Sequence, residues 1–202
     1  LQPSTRLTFA HQYLNQDDVW RWHSTIYNDT PWNDTSTGSY AARIYDQERS
    51  LTYLKVEGEM SNSPVQNYSA TLSFQRSQDS AFQDRSPTDA RTQVIDVDTL
   101  GLDIQLESEI LGGNLVYGVD YYRDSIDSAG TRSGRDPRSR RPVADDSTYQ
   151  LLGAFAQLRT PLSGSLETTI GARITRADAE LGKVWDPDNT TDVSATEDWS
   201  NI

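Results

Sequence analysis

Cysteine is absent from all 202 residues. No disulfide can therefore staple the fold, and no thiolate can serve as nucleophile or metal ligand. Lysine is nearly absent: Lys55 and Lys183 are the only two, and every other cation is an arginine. Histidine is limited to His11 and His23, which leaves a zinc site short of nitrogen and sulfur ligands. No Ser-His-Asp arrangement stands at a credible spacing, so covalent catalysis is not expected and no cofactor is implied. No apolar run approaches the roughly 20 residues of a membrane-spanning helix. Apolar residues make up only 35% of the chain, below the roughly 45–50% usual in globular domains. That deficit argues against a deep two-layer core. It suits a structure with a watery interior and an apolar band one side chain thick. A net charge of −12 argues against nonspecific nucleic-acid binding. No initiator Met and no signal peptide are present, and Leu1 and Ile202 both read as falling in mid-sequence, so an excised fragment is expected.

What the chain does have is alternation. Leu100, Leu102, Ile104 and Leu106 interleave with Gly101, Asp103, Gln105 and Glu107. After a Gly-Gly break, Leu115, Tyr117, Val119 and Tyr121 alternate with Gly118 and Asp120, and later Leu166, Thr168, Ile170, Ala172 and Ile174 alternate with Glu167, Gly171 and Arg173. Side chains of a strand point to opposite faces with period two, so each segment has one greasy and one polar face. With 10 Tyr and 5 Trp, this order is unlike a disordered chain. Seven strands are predicted, over about 4–14, 40–57, 65–76, 92–109, 114–123, 148–159 and 166–177.

The connections sort by length. Those at 58–64, 110–113 and 160–165 are short and rich in Gly, Ser, Asn and Pro. Those at 15–39, 77–91, 124–147 and 178–202 are long and polar. In an antiparallel meander this order puts every long connection at one end. Short periplasmic turns opposite long extracellular loops mark outer-membrane barrels, whereas a soluble sandwich has no reason to sort its loops so. An odd number of strands leaves two edges that lipid cannot satisfy. The fold expected is all-β, an antiparallel meander forming a consecutive slice of a larger transmembrane β-barrel.

Three passages resemble the barrel of TonB-dependent outer-membrane receptors. They are Thr99–Glu107 with Leu115–Asp124 after its turn, Tyr149–Gln157, and the Gly-x-Arg strand Leu166–Arg173. The resemblance covers most of 40–177. It implies that 1–202 is part of a 22-stranded barrel in the bacterial outer membrane, without the N-terminal plug or the TonB-contacting box. It also implies uptake of a scarce nutrient such as a ferric siderophore, haem or cobalamin, energised through TonB. The Phe-Arg-Ala-Pro and Asn-Pro-Asn-Leu loop pattern of haem receptors is not in the chain. The partners so implied are the nutrient, the TonB complex through the plug, outer-membrane lipid and lipopolysaccharide. A passive porin and a soluble carbohydrate-binding β-protein are the alternative readings.

Two loop clusters are candidate binding residues. Trp20, Arg21, Trp22 and His23 open the first long loop; they can stack on and charge-pair with a planar or anionic ligand, or stand in an interfacial aromatic girdle. Arg138, Arg140 and Arg141 lie in an arginine-rich loop with Arg132 and Arg135. Guanidinium groups grip phosphate or carboxylate bidentately, but Asp127, Asp136, Asp145 and Asp146 can neutralise them locally. Asp186-Pro187-Asp188-Asn189 with Asp192 has a calcium-loop flavour but lacks the Gly and terminal Glu of a regular one. Asn28-Asp29-Thr30 and Asn33-Asp34-Thr35 match glycosylation sequons. Inward residues such as Asp103, Glu107, Asp120 and Arg173 are expected to line the lumen as structural pairs.

Overall fold

The alternating segments pair with one another in chain order. A computed structural model describes residues 5–27, 38–86 and 88–201; the two sequons at 28–30 and 33–35 lie outside these. Eight strands form one antiparallel meander: β1 (Thr5–Trp20), β2 (Ala42–Glu59), β3 (Asn67–Asp84), β4 (Ala90–Ile110), β5 (Gly113–Arg132), β6 (Ser147–Ser163), β7 (Leu166–Asp186) and β8 (Thr191–Asn201). Among the described residues the only other regular element is a short 3₁₀ turn, Pro137–Arg140. β1 and β8 are the two edges of the open sheet.

Register turns the alternation into a surface. Leu7, Val56, Ala70, Ile104, Val119, Ala154 and Ile174 stand in one cross-strand row, and Phe9, Leu54, Leu72, Leu102, Tyr121 and Leu152 in another two residues away. No apolar side chain among the described residues is buried, and Phe9, Leu72 and Ile170 are openly exposed. This face is a belt with no protein behind it, as a lipid-facing wall requires. The belt also slides along the strands. It reaches Tyr13 on β1, whereas the β7 residue in that same row is Glu180. Hydrogen-bond rows that climb across a level belt are the stagger of tilted barrel strands.

The opposite face is polar and concave. Arg6, Tyr53, Lys55, Glu57, Asp103 and Gln105 help line a hollow of about 1110 Å³. Here Arg6 and Lys55 both pair with Glu57, and Arg173 reaches Asp120 at 2.8 Å across Gly153. Gly118 leaves room for the Phe155 ring, which lies over it within 2.9 Å of where a Cβ would stand. Of the residues expected to point inward, Asp120 and Arg173 pair with each other, and Glu107 accepts from the Asn67 and Asn114 amides.

Two connections at the turn end are minimal, at 111–112 and 164–165. Leu111 and Gly112 both have positive φ, 52° and 72°, the requirement of a two-residue hairpin turn whose twist matches the strands.

Two expectations are corrected. The described residues form eight strands where seven were expected, because residues from 178 onward continue β7 to Asp186 and then form β8; the chain reaches Asn201 as strand, where a loop was expected. The other long stretches likewise begin as strand: 15–39 to Trp20, 77–91 to Asp84 and again from Ala90, and 124–147 to Arg132. Strands of this length exceed the roughly 9–11 residues that cross a bilayer. The surplus lies at one end, beyond the belt, with water on both faces. There the outward side is mostly polar, as in Arg76, Gln78 and Ser80 on β3 and Asp96 and Asp98 on β4, so the sequence reads as loop.

Candidate functional site at the rim

The described residues 21–27, 38–41, 85–86, 88–89, 133–146 and 187–190 lie at the end opposite the tight turns and form a rim. Three groups of side chains stand there.

The first contains the predicted aromatic cluster. Trp20 and Trp22 stack with ring centroids 5.4 Å apart, and Tyr27 meets Trp22 edge-on at 6.4 Å. A β-bulge between Gln16 and Val19, with Asp18 at φ 54°, adds one residue to β1. It puts Trp20 in register with Ile44 and Phe82 on the belt side. Trp20 is six ladder steps beyond Tyr13, roughly 15 Å further out along a tilted strand, so it stands above any interfacial girdle. Arg21 goes to the other face, its guanidinium 5.2 Å from the Tyr45 ring. His23 contributes its backbone carbonyl, which accepts from Arg43 Nη1 at 3.0 Å. The four predicted residues are therefore split between two faces.

The second contains the predicted arginine loop. Arg138 donates to Asp136 at 2.9 Å and to the Thr190 carbonyl at 3.2 Å, and lies 4.6 Å from the Trp185 ring. Arg141 donates to Asp192 at 2.9 Å. Arg140 offers its carbonyl to Gln93 at 3.0 Å. Lys183 reaches Asp145 at 3.2 Å. These bonds strap the 133–146 loop onto β4 and the β7–β8 hairpin. The Asp136 carboxyl is held below its usual range, first by the Arg138 side chain and then by the Arg138 backbone N–H. For Asp145, burial works the other way, but the Ser128 N–H and the Lys183 ammonium outweigh it and the net direction is downward. The calcium-loop candidate is a hairpin turn: Asp186 accepts the N–H of Asp188 at 2.9 Å and the Asn189 amide at 2.7 Å, while Asp192 is taken by Arg141.

The third was not anticipated. Arg43, Gln83, Arg91 and Arg132 are consecutive partners across β2, β3, β4 and β5, on the concave face. Arg91 donates to Gln83 Oε1 at 2.6 Å, and Gln83 Nε2 donates to the Tyr45 hydroxyl at 3.3 Å. Arg132 donates to Asp89 at 2.6 Å. Arg85 and Arg43 lie over the Tyr40 ring at 4.6 and 5.4 Å. Between these groups is a small cavity of about 60 Å³. The Asp89 carboxyl is held below its usual range, chiefly by the Arg132 hydrogen bond, with the charges of Arg85 and Arg91 adding. Residues spread from 43 to 132 become neighbours only through register, a signal that no local motif carries.

A wall with a bare apolar belt outside, a polar hollow inside and long hairpins at one end is the architecture of an outer-membrane barrel. The family model described as TonB dependent receptor-like, beta-barrel, matches residues 1–201. The chain belongs to that family, and its place is the bacterial outer membrane; the soluble reading falls. Members of the family are transport receptors rather than enzymes. None of the curated proteins compared matches the chain. Among solved structures it is similar in fold to the copper transporter OprC, with a TM-score of 0.54 and 14% identity. The likeness takes in 96% of this chain but only 36% of the OprC chain, so the sheet spans little more than a third of that protein's length.

Proposed function

We propose that the full-length protein is an active-transport receptor that imports a ferric siderophore, haem or a similar scarce nutrient, energised through TonB. The observation that carries this is the pairing of family membership with a concave, charged inner wall. Its carboxylates and guanidiniums, Glu57, Asp103, Asp120 and Arg173, face inward. Glu57 and Asp120 already pair with arginine or lysine along the wall, so a charged lumen lining is held in place, and a folded plug would pack against this polar surface. Ligand is captured at the rim, and plug movement, driven from the inner membrane, opens the way. The fold shared with a copper transporter makes copper worth including among the cargoes tested.

The test is growth of a deletion strain on a panel of iron sources, haem and copper under limitation. The expected result is loss of growth on one source, restored by the full-length gene and lost again when TonB is inactivated. Uptake that persists without TonB refutes the active-receptor reading and favours a passive channel.

A further inference from the structure

We propose that the arginine row at the rim is a receptor for an oxyanion, the carboxylate or phosphate group of a soluble ligand entering the barrel. This rests on the import reading and specifies the ligand's chemistry. Arg85, Arg91 and Arg132 line the small cavity, and Arg43 lies over the Tyr40 ring that also borders it; among the described residues the one carboxylate lining the cavity is Asp89, which is already bound to Arg132. Among the described residues the Arg85 guanidinium has no hydrogen-bond acceptor and lies over the Tyr40 ring. Arg91 spends one Nη2 donor on the neutral Gln83. Arg43 Nε is buried without a partner. A guanidinium carries five donors in a fixed fork, so the row holds many more donors than acceptors. Like charges brought together in a protein repel unless a counter-charge sits among them. Counting Arg85 with the row, four guanidiniums face the one described carboxylate, Asp89, a surplus of three.

The geometry also selects the kind of anion. The row shares the concave face with Tyr45, Gln83 and Gln93, opposite the belt. Lipid headgroups surround the outer wall, so a lipid phosphate would have to reach round the rim to meet these donors. The cavity of about 60 Å³ has room for one carboxylate or phosphate group, not for a whole chelate. Tyr40 stacks Arg43 and Arg85 and so fixes the plane in which their N–H groups point. The site therefore reads a charged substituent on a larger solute, and Asp89 keeps Arg132 from closing over the gap.

The experiment uses the full-length receptor in detergent, titrated calorimetrically with citrate, with inorganic phosphate and with a neutral ferric hydroxamate chelate. Citrate or phosphate should bind, more weakly as salt rises, and the neutral chelate should gain nothing from the row. In R85Q/R91Q, anion binding should fall at least tenfold with an unchanged melting temperature. R85K/R91K should recover only part of the loss, since charge returns without the fork. The single variant R85Q, whose side chain ties no described strand by hydrogen bond, should on its own cost several-fold in affinity and serves if the double variant fails to fold. Failure of both anions to bind the native receptor, or equal binding by R85Q and the native protein, overturns the proposal. The import reading is judged separately by the deletion strain. A TonB-dependent growth defect alongside unaltered anion binding in R85Q sinks only the oxyanion site, whereas normal growth with anion binding lost in R85Q sinks only the import reading.

Discussion

Replacing Ile104 with arginine asks whether the belt meets lipid. Along β4 the belt-side residues run from Leu100 to Ile110. Ten residues at about 3.4 Å, tilted by about 40°, rise about 26 Å, close to the roughly 25 Å apolar band of such barrels. The centre of that span falls between Ile104 and Leu106. Arginine at position 104 therefore enters near the midplane, where it costs about 2–4 kcal/mol. Gln105, one residue on, belongs to the concave face and helps line the hollow, so Gln105→Arg meets water and the inner carboxylates and should cost under about 1 kcal/mol. The measurement is urea-dependent folding of the full-length protein into lipid vesicles, read by heat-modifiable gel mobility. A midpoint shift for Ile104→Arg several times that for Gln105→Arg is expected. Equal shifts, or a larger one for Gln105→Arg, would refute the assignment of faces.

Gly118→Val should destabilise the barrel by about 1–3 kcal/mol, because its Cβ presses on the Ile104 carbonyl and the Phe155 ring. Gly171→Ala, whose Cβ finds its nearest neighbour at 3.3 Å, should shift the same urea midpoint far less; comparable losses would contradict the packing. The strap over 133–146 should be acid-labile. Asp136 and Asp145 have depressed carboxyl values, so their contribution is full above the unfolded range of about 3.9 and is lost as pH falls through the lower folded values. Spin labels at Ser139 and Asn189 should report one narrow distance from pH 7 to about pH 5 and a broadened one below about pH 4. Broadening already at pH 6 would mean that other groups hold the strap.

How far the sequence could be read depended on what each face of a strand touches. Leu100–Leu106 and Leu115–Tyr121 were legible because lipid on one side and water on the other impose opposite demands on neighbouring residues. Residues 77–84, Ser-Gln-Asp-Ser-Ala-Phe-Gln-Asp, were not, because their outward side is mostly polar and imposes little period; their ladder is fixed by pairing with 90–97. The rim shows the same divide. Arginines near 138 were visible as a run, but their partners Asp192 and Trp185 are more than forty residues away. Trp20 and Arg21 looked like one cluster, but neighbours in an extended chain point to opposite faces, and the bulge at Asp18 decides that Trp20 takes the belt side. The row of Arg43, Arg91 and Arg132 needs three correct registers at once before it can be seen.

The bulge in β1 also says how such a wall can change over time. The β3–β4 ladder runs without a break from Asn67 to Asp84, so a one-residue insertion within it would exchange inside for outside in every residue above the change. The arginines of the rim would then face the lipid side and the outward residues would face the mouth. Length can therefore vary freely only at the hairpin tips, or in steps of two along the ladder. A single-residue change has to be absorbed where it occurs, as it is between Gln16 and Val19. Descent with altered loops should accordingly leave a parity rule in these hairpins, an even count of gained or lost residues between the belt and each rim side chain that keeps its face.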